Sequence, residues 1–260
     1  MDPNRVINSL SSITRICSKI LDDKASTVIA SAIAELNVTK RAYDWGKRNQ
    51  NRLNRPPEPW GYTIYDSQPL RFIPVKIPNS VELQVDIYCD IRWAEDDLPT
   101  QQDIKVRVWC LHEETIFRDE FDAERIFEEL EDDNRSYFPR PHKKSRVISR
   151  VHFDKANPDQ AGPLYHLQFG GISQPYELFW HPEKINGPRL EYQPMDLFLT
   201  CQMVVANFFP EHYSEIRKRP EWQNQVTWCQ DKFLRQHYKH CHETLENKQT
   251  LLDVLWGITT

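Results

Sequence analysis

VELQVDIYCDIRW, from Val81 to Trp93, alternates without a break: Val81, Leu83, Val85, Ile87, Cys89, Ile91 and Trp93 share one parity, and Glu82, Gln84, Asp86, Tyr88, Asp90 and Arg92 the other. Successive side chains of an extended chain point to opposite faces, so this period of two predicts a long strand with one buried face. After an acidic loop over residues 94–102, Ile104, Val106, Val108 and Cys110 repeat the pattern. The two runs are expected to form an antiparallel hairpin.

Further strands are expected downstream. Residues 147–181 contain VISRVHFD, LYHLQFGG and YELFWHP, separated by turns and including the only Gly-Gly of a glycine-poor chain. In the first, Val147, Val151 and Phe153 oppose Arg150, His152 and Asp154; in the second, Tyr165, Leu167 and Phe169 oppose His166 and Gln168. In the third, Tyr176, Leu178 and Trp180 oppose Glu177, Phe179 and His181. A short strand near 115–118 and a helix from Asp122 to Leu130 are read between the hairpin and this stretch.

Helices flank the strands. Val6, Leu10, Ile13, Cys17 and Ile20 follow the spacing of one helical stripe, and a second helix is expected over about 24–43, making an N-terminal hairpin. Six basic residues against one acid lie between Lys40 and Arg55, ahead of Pro56, Pro57 and Pro59, and read as a basic linker. Gln193, Pro194 and Asp196 announce a helix over 195–209 that is apolar nearly all round and therefore central, with proline at the first helical position. Helices over about 211–218 and 221–243 and an apolar turn at 251–256 complete the chain. Helices, then strands, then helices imply an α+β fold: an antiparallel sheet packed on a central buried helix, with an N-terminal helical hairpin and a C-terminal helical region. The expected division is residues 1–55, hairpin and linker, and residues 56–260, with the sheet over about 70–181 and helices over about 194–256.

At 260 residues, 39% of them hydrophobic, with eight Trp, ten Tyr and twelve Phe, the chain can bury a sizeable core. A net charge of -5 argues against a globally basic nucleic-acid binder, although local patches remain. Nine acids fall between Asp119 and Asp133, and six Lys or Arg with His142 between Arg135 and Arg150. The six cysteines are scattered without a CxxC pair, as reduced core thiols are. Without a long apolar run or a secretory layout at residues 1–10, the reading is a cytoplasmic chain with no membrane association.

Three constellations carry chemistry. Strand parity gathers Arg150, His152, Asp154, His166, Gln168, Glu177 and His181 on one polar face, where imidazoles and a carboxylate suit a metal or acid–base work on a phosphodiester. His152 and His166 meet if the hairpin registers them. Asp90 followed by Asp103-Ile104-Lys105 is similar to the Asp…Asp-x-Lys arrangement of restriction-endonuclease-like nucleases, which implies a divalent cation on the carboxylates and a water-orienting lysine. His237 and Cys241 stand one helical turn apart, but a structural zinc needs four ligands. The commoner reading of each is a solvated or hydrogen-bonded surface. No cofactor motif is present, and Gly170-Gly171 reads as a tight turn.

The segments RVHFDKANPDQAGPLYHLQFGG (150–171) and PRLEYQPMDLFLTCQMVVANFFP (188–210) resemble a bacterial family of the domain-of-unknown-function kind, associated with phage-defence gene clusters. The resemblance covers about residues 70–256, brings no catalytic residue, and implies an accessory role in a multi-protein system. The expectation is therefore a non-enzymatic interaction subunit binding a protein partner, itself or another chain, with nucleic acid as a further partner of the basic patches. Leu10, Ile13, Lys47, Arg48 and Arg52 are the candidate partner-binding residues. The alternative is a metal-dependent nuclease or phosphodiesterase using the histidine face or the Asp90/Asp103/Lys105 hairpin.

Overall fold

The computed structural model describes residues 1–77, 81–94, 98–111, 145–155, 165–169 and 190–246. Among these, α1 (Pro3–Ile16), α2 (Ala25–Arg48) and α3 (Gln50–Leu53) precede eight strands: β1 (Trp60–Ile64), β2 (Leu70–Arg71), β3 (Val75–Ile77), β4 (Val81–Trp93), β5 (Gln101–Leu111), β6 (Ser145–Lys155), β7 (Tyr165–Phe169) and β8 (Leu190–Glu191). Then follow α4 (Leu197–Phe208), α5 (Pro210–Ile216) and α6 (Pro220–Cys229), which continues through a π turn (Gln230–Leu234) into α7 (Arg235–Glu246). The fold is α+β, as its order of elements implies.

The Val81–Trp93 strand has the bounds its alternation predicts, and the sheet grows from it. Along one side β1, β2 and β3 pair with β4 in succession, all antiparallel; on the other side β5, β6, β7 and β8 follow in order. Val85, Ile87, Cys89, Ile91 and Trp93 of β4 and Ile104, Val106 and Val108 of β5 are buried in a single apolar cluster with Phe153 of β6. Residues of α1, α2, α4, α5, α6 and the π turn complete that cluster, so the N-terminal hairpin and the sheet share one core. Leu10 and Ile13 are therefore taken up by this chain's own core. Their stripe packs among helices, against α2, α4 and α6.

Caps start the helices where the sequence supplies them. Asp2 accepts from the amide of Asn4 at 2.9 Å ahead of Pro3, and Asp196 from that of Leu199 at 2.8 Å. Asp196 is thus the cap and Leu197 the first helical residue, with Pro194 outside the helix. The central helix α4 is buried at Leu197, Phe198, Cys201, Val204 and Val205, and the core-facing Gln102 of β5 accepts from the amide of Met195 just ahead of it at 2.9 Å.

Two expectations need correction. The basic stretch is not a linker: α2 runs through Arg48 and α3 follows, ending at Asn54, whose φ of 50° closes the helix in the left-handed region. The sheet also begins earlier than residue 70, because Trp60–Ile64 pairs with Cys89–Trp93. Gly61 sits so close to β4 that a Cβ would fall 1.9 Å from the carbonyl oxygen of Ile91. The outer edge of β1 is occupied by α2: the Thr39 hydroxyl accepts from the amide of Gly61 at 3.0 Å and donates to its carbonyl at 2.7 Å, and Glu35 accepts from the amide of Thr63 at 3.1 Å. The expected strands near 115–118 and 176–180, the helix over 122–130, Gly170-Gly171 and the turn at 251–256 lie outside the described residues.

Candidate functional site

The face of the sheet opposite the core is polar, and its chemistry is set by register. One rung runs Thr63, Asp90, Asp103, Asp154, His166 from β1 to β7, and the backbone of Glu191 on β8 extends it. The next runs Tyr88, Lys105, His152, Gln168, and the one beyond it Arg71, Asp86, Arg107, Arg150. The histidine face and the Asp90/Asp103/Lys105 hairpin, separate in sequence, are one surface.

His152 and His166 do not oppose each other. His152 stands across from Gln168, and His166 across from Asp154, one rung away. Each imidazole meets an aspartate instead: Nε2 of His152 lies 2.6 Å from Oδ1 of Asp103, and Nε2 of His166 lies 3.8 Å from Oδ2 of Asp154. Lys105 Nζ is 3.4 Å from the other Asp103 oxygen. Burial pushes the Asp103 carboxyl up, but the hydrogen bond and charge of His152, with Lys105 behind it, outweigh this and hold it below the ordinary carboxylate range. His166 is closed to solvent, whereas His152, Asp103 and Lys105 are partly open. His181 lies outside the described residues.

Asp90 is directly opposite Asp103, yet its partners are elsewhere: Arg92 Nε donates to one oxygen at 2.6 Å and Gln101 Nε2 to the other at 2.7 Å. Arg92 also donates to Glu35 of α2 at 2.8 Å and to the Thr63 hydroxyl at 2.6 Å. A bidentate pair holds the third rung, where Arg71 Nε and Nη2 both donate to the fully buried Asp86 at 2.8 Å. The Arg107 guanidinium stacks 4.3 Å from the Tyr88 ring centre and reaches Asp66 at 3.3 Å.

Of this arginine rung, only Arg150 is among the expected site residues. Its signal was present in the parity that gathers Asp86, Arg107 and Arg150 on one face, but Arg71 enters through the two-residue strand β2.

Among the described residues, no group of three or more His, Cys, Asp or Glu is arranged to hold a metal ion. His237 and Cys241 do approach, with Nε2 3.8 Å from Sγ, and the His237 ring sits edge-on to Tyr165. What the polar face offers chemically is the Asp103–His152 couple. A carboxylate on one ring nitrogen orients the imidazole, the arrangement of a general acid or base.

The six cysteines are all free and buried. Cys229 donates to Asp196 at 3.3 Å in the core. Burial pushes the Cys17 thiol up to about 12 and those of Cys201 and Cys229 well above the ordinary range, so these sulfurs are protonated and poor nucleophiles. Burial also raises the Asp196 carboxyl to about 6, against the cap hydrogen bond from Leu199.

Of the candidate partner-binding residues, Lys47, Arg48 and Arg52 are exposed. Beside them the outer face of α2 carries two large exposed apolar side chains, Val38 at 58% and Trp45 at 55%. No helix among the described residues is long and apolar enough to cross a membrane. Compared with protein-family models, with curated proteins and with solved structures, the chain matches none of them.

Proposed function

We propose that this chain is a cytoplasmic accessory subunit of a multi-protein bacterial assembly, of the phage-defence kind its sequence resembles. It works through protein contacts, and the outer face of α2 is the dock. The observation that carries this reading is Trp45, an indole left more than half exposed on a long helix whose other side is committed to the core. Tryptophan and arginine are the residue types that dominate interface energies, and here Arg48 follows one turn later. The polar sheet face supports the same reading, since the carboxylates of Asp86, Asp90 and Asp103 are neutralised by cations of this chain.

The test is affinity purification of the full chain from its native cell beside Trp45→Ala and Arg48→Glu variants of unchanged thermal stability. A specific partner retained by the native chain and lost with both variants is the expected result. Retention by both variants removes α2 as the dock.

A second reading, a nuclease or phosphodiesterase, is favoured by the 2.6 Å contact between Asp103 and His152. It expects the purified chain to cleave labelled RNA or DNA with added Mg²⁺, Mn²⁺ or Zn²⁺, and His152→Ala and Lys105→Ala to abolish cleavage. Cleavage surviving both substitutions removes this site.

A further inference from the structure

Resting on the docking role of α2, we infer that the partner presents an acidic amphipathic helix, laid along the stripe Val38, Arg41, Trp45, Arg48.

At 100° per residue these four positions fall within one narrow sector of α2, roughly 80° wide, and Ala34 extends it toward the N-terminus. All are exposed. The opposite side of the helix holds Ala25, Ile29, Ala32, Leu36 and Tyr43 in the core, so α2 cannot roll to hide the stripe. Arg41 and Arg48 each donate through Nε to a carbonyl one turn back, Asn37 at 3.1 Å and Asp44 at 3.2 Å. Those bonds lay both side chains along the helix, and among the described residues the terminal guanidinium nitrogens are left for a ligand. Asp44, on the same helix beside the stripe, is taken by Lys40.

The two arginines are seven residues apart, about 10.5 Å along the axis, with Trp45 between them. A partner helix carrying two carboxylates two turns apart and a large apolar residue between them matches that spacing. Each guanidinium would then take a carboxylate and the indole would take the apolar side chain. A nucleic-acid strand fits less well. Its phosphates would be served by the arginines, but Val38 and Ala34 would face a charged backbone with nothing to pack against. Apolar surface on both sides of the first arginine is what selects a protein helix.

The probe is a fluorescein-labelled synthetic helix with Glu, Leu and Glu at i, i+3 and i+7, titrated into the full chain and followed by anisotropy. A Glu→Gln version of the peptide and a short single-stranded DNA of matched label serve as comparisons. Saturable binding is expected, weakened about tenfold or more by Arg48→Glu and by Trp45→Ala, and by the Glu→Gln peptide, and reduced by added salt. A chain carrying Arg41→Glu and Arg48→Glu should regain binding to a peptide with Lys at both acid positions. Equal binding by Trp45→Ala, absence of peptide binding, or tighter binding of the DNA with the same dependence on Arg48 overturns the inference. None of these touches the docking role itself, which fails only if the native partner is retained by both variants.

Discussion

The two faces of the sheet are written by the same alternation and held by opposite physics. On the core face, Val85, Ile87, Ile91, Trp93, Ile104, Val106 and Phe153 need only be apolar and of the right size, because burial is non-directional. On the other face each group needs a particular partner. Asp86 is as buried as Ile87, yet it is tolerable only because Arg71 meets it with two hydrogen bonds. A one-residue slip would carry the whole apolar set to the polar side, so the core face forbids it outright. A two-residue slip keeps the parity and leaves the core face apolar, but it parts every polar pair. The two faces therefore guard the register against different errors.

The contrast breaks most severely from the core side. Trp93 packs against Trp60 at 5.2 Å and Tyr62 at 6.1 Å between ring centres, and Trp93→Ala should lower unfolding stability by about 3–5 kcal/mol in a denaturant titration. On the polar face, Arg71→Ala strips both charge-assisted hydrogen bonds from the buried Asp86 carboxylate, at a cost of about 3 kcal/mol at neutral pH. That loss should shrink when Arg71→Ala is made in an Asp86→Asn background. An equal loss in both backgrounds would mean that packing of the arginine stem, not charge, is what matters.

Asp196 sharpens the comparison, because it is a charged group on the apolar side. Its folded pKa of about 6 lies above the unfolded carboxylate value, so the folded state binds the proton more tightly. Stability from this group is greatest at low pH, falls as pH rises through the window from about 4 to 6, and stays low above it. Asp196→Asn keeps a capping oxygen and should gain about 2 kcal/mol above pH 6 and little near pH 4. No gain at pH 8 would show that the charge is compensated in place.

Asp103 runs the other way. Its folded pKa is lowered, so its contribution is present above the unfolded pKa and is lost as pH falls through the folded one. Because the Asp103 side chain is partly exposed, solvent screening limits the effect of Asp103→Asn to about 1 kcal/mol or less at neutral pH.

What could be read from the chain follows the same division. The β4–β5 hairpin and the central helix were legible because their signals are local: a period of two, or apolarity all round bounded by Asp196. Strand β1 was not, because Trp60-Gly61 follows prolines and becomes a strand only by pairing with residues about thirty positions away. The basic run read as a linker because of its charge, although its helix continues to a left-handed stop at Asn54. The polar rungs depend on register, which no single strand encodes. A slip between Val108 and Trp109 places Val147 opposite Trp109, out of step with Val151 and Phe153, and the expected His152–His166 pair stands one rung apart, each imidazole meeting an aspartate instead. Lys47, Arg48 and Arg52 were legible as exposed cations, whereas Leu10 and Ile13 could not be told from a docking stripe until the helices that bury them were seen.

The seal that Thr39 and Glu35 place on β1 determines what a shortened chain would become. Cut before Arg55, it would present the amides of Gly61 and Thr63 and the carbonyl of Gly61 as a bare template for strand addition, beside an uncovered core. Such a fragment would polymerise or take on any extended peptide it met, and its new adhesiveness would be mistaken for recognition. Residues 1–55 thus act on one side of the sheet as a guard against indiscriminate binding, and the selectivity of the outer stripe on α2 depends on the inner face of that helix staying where it is.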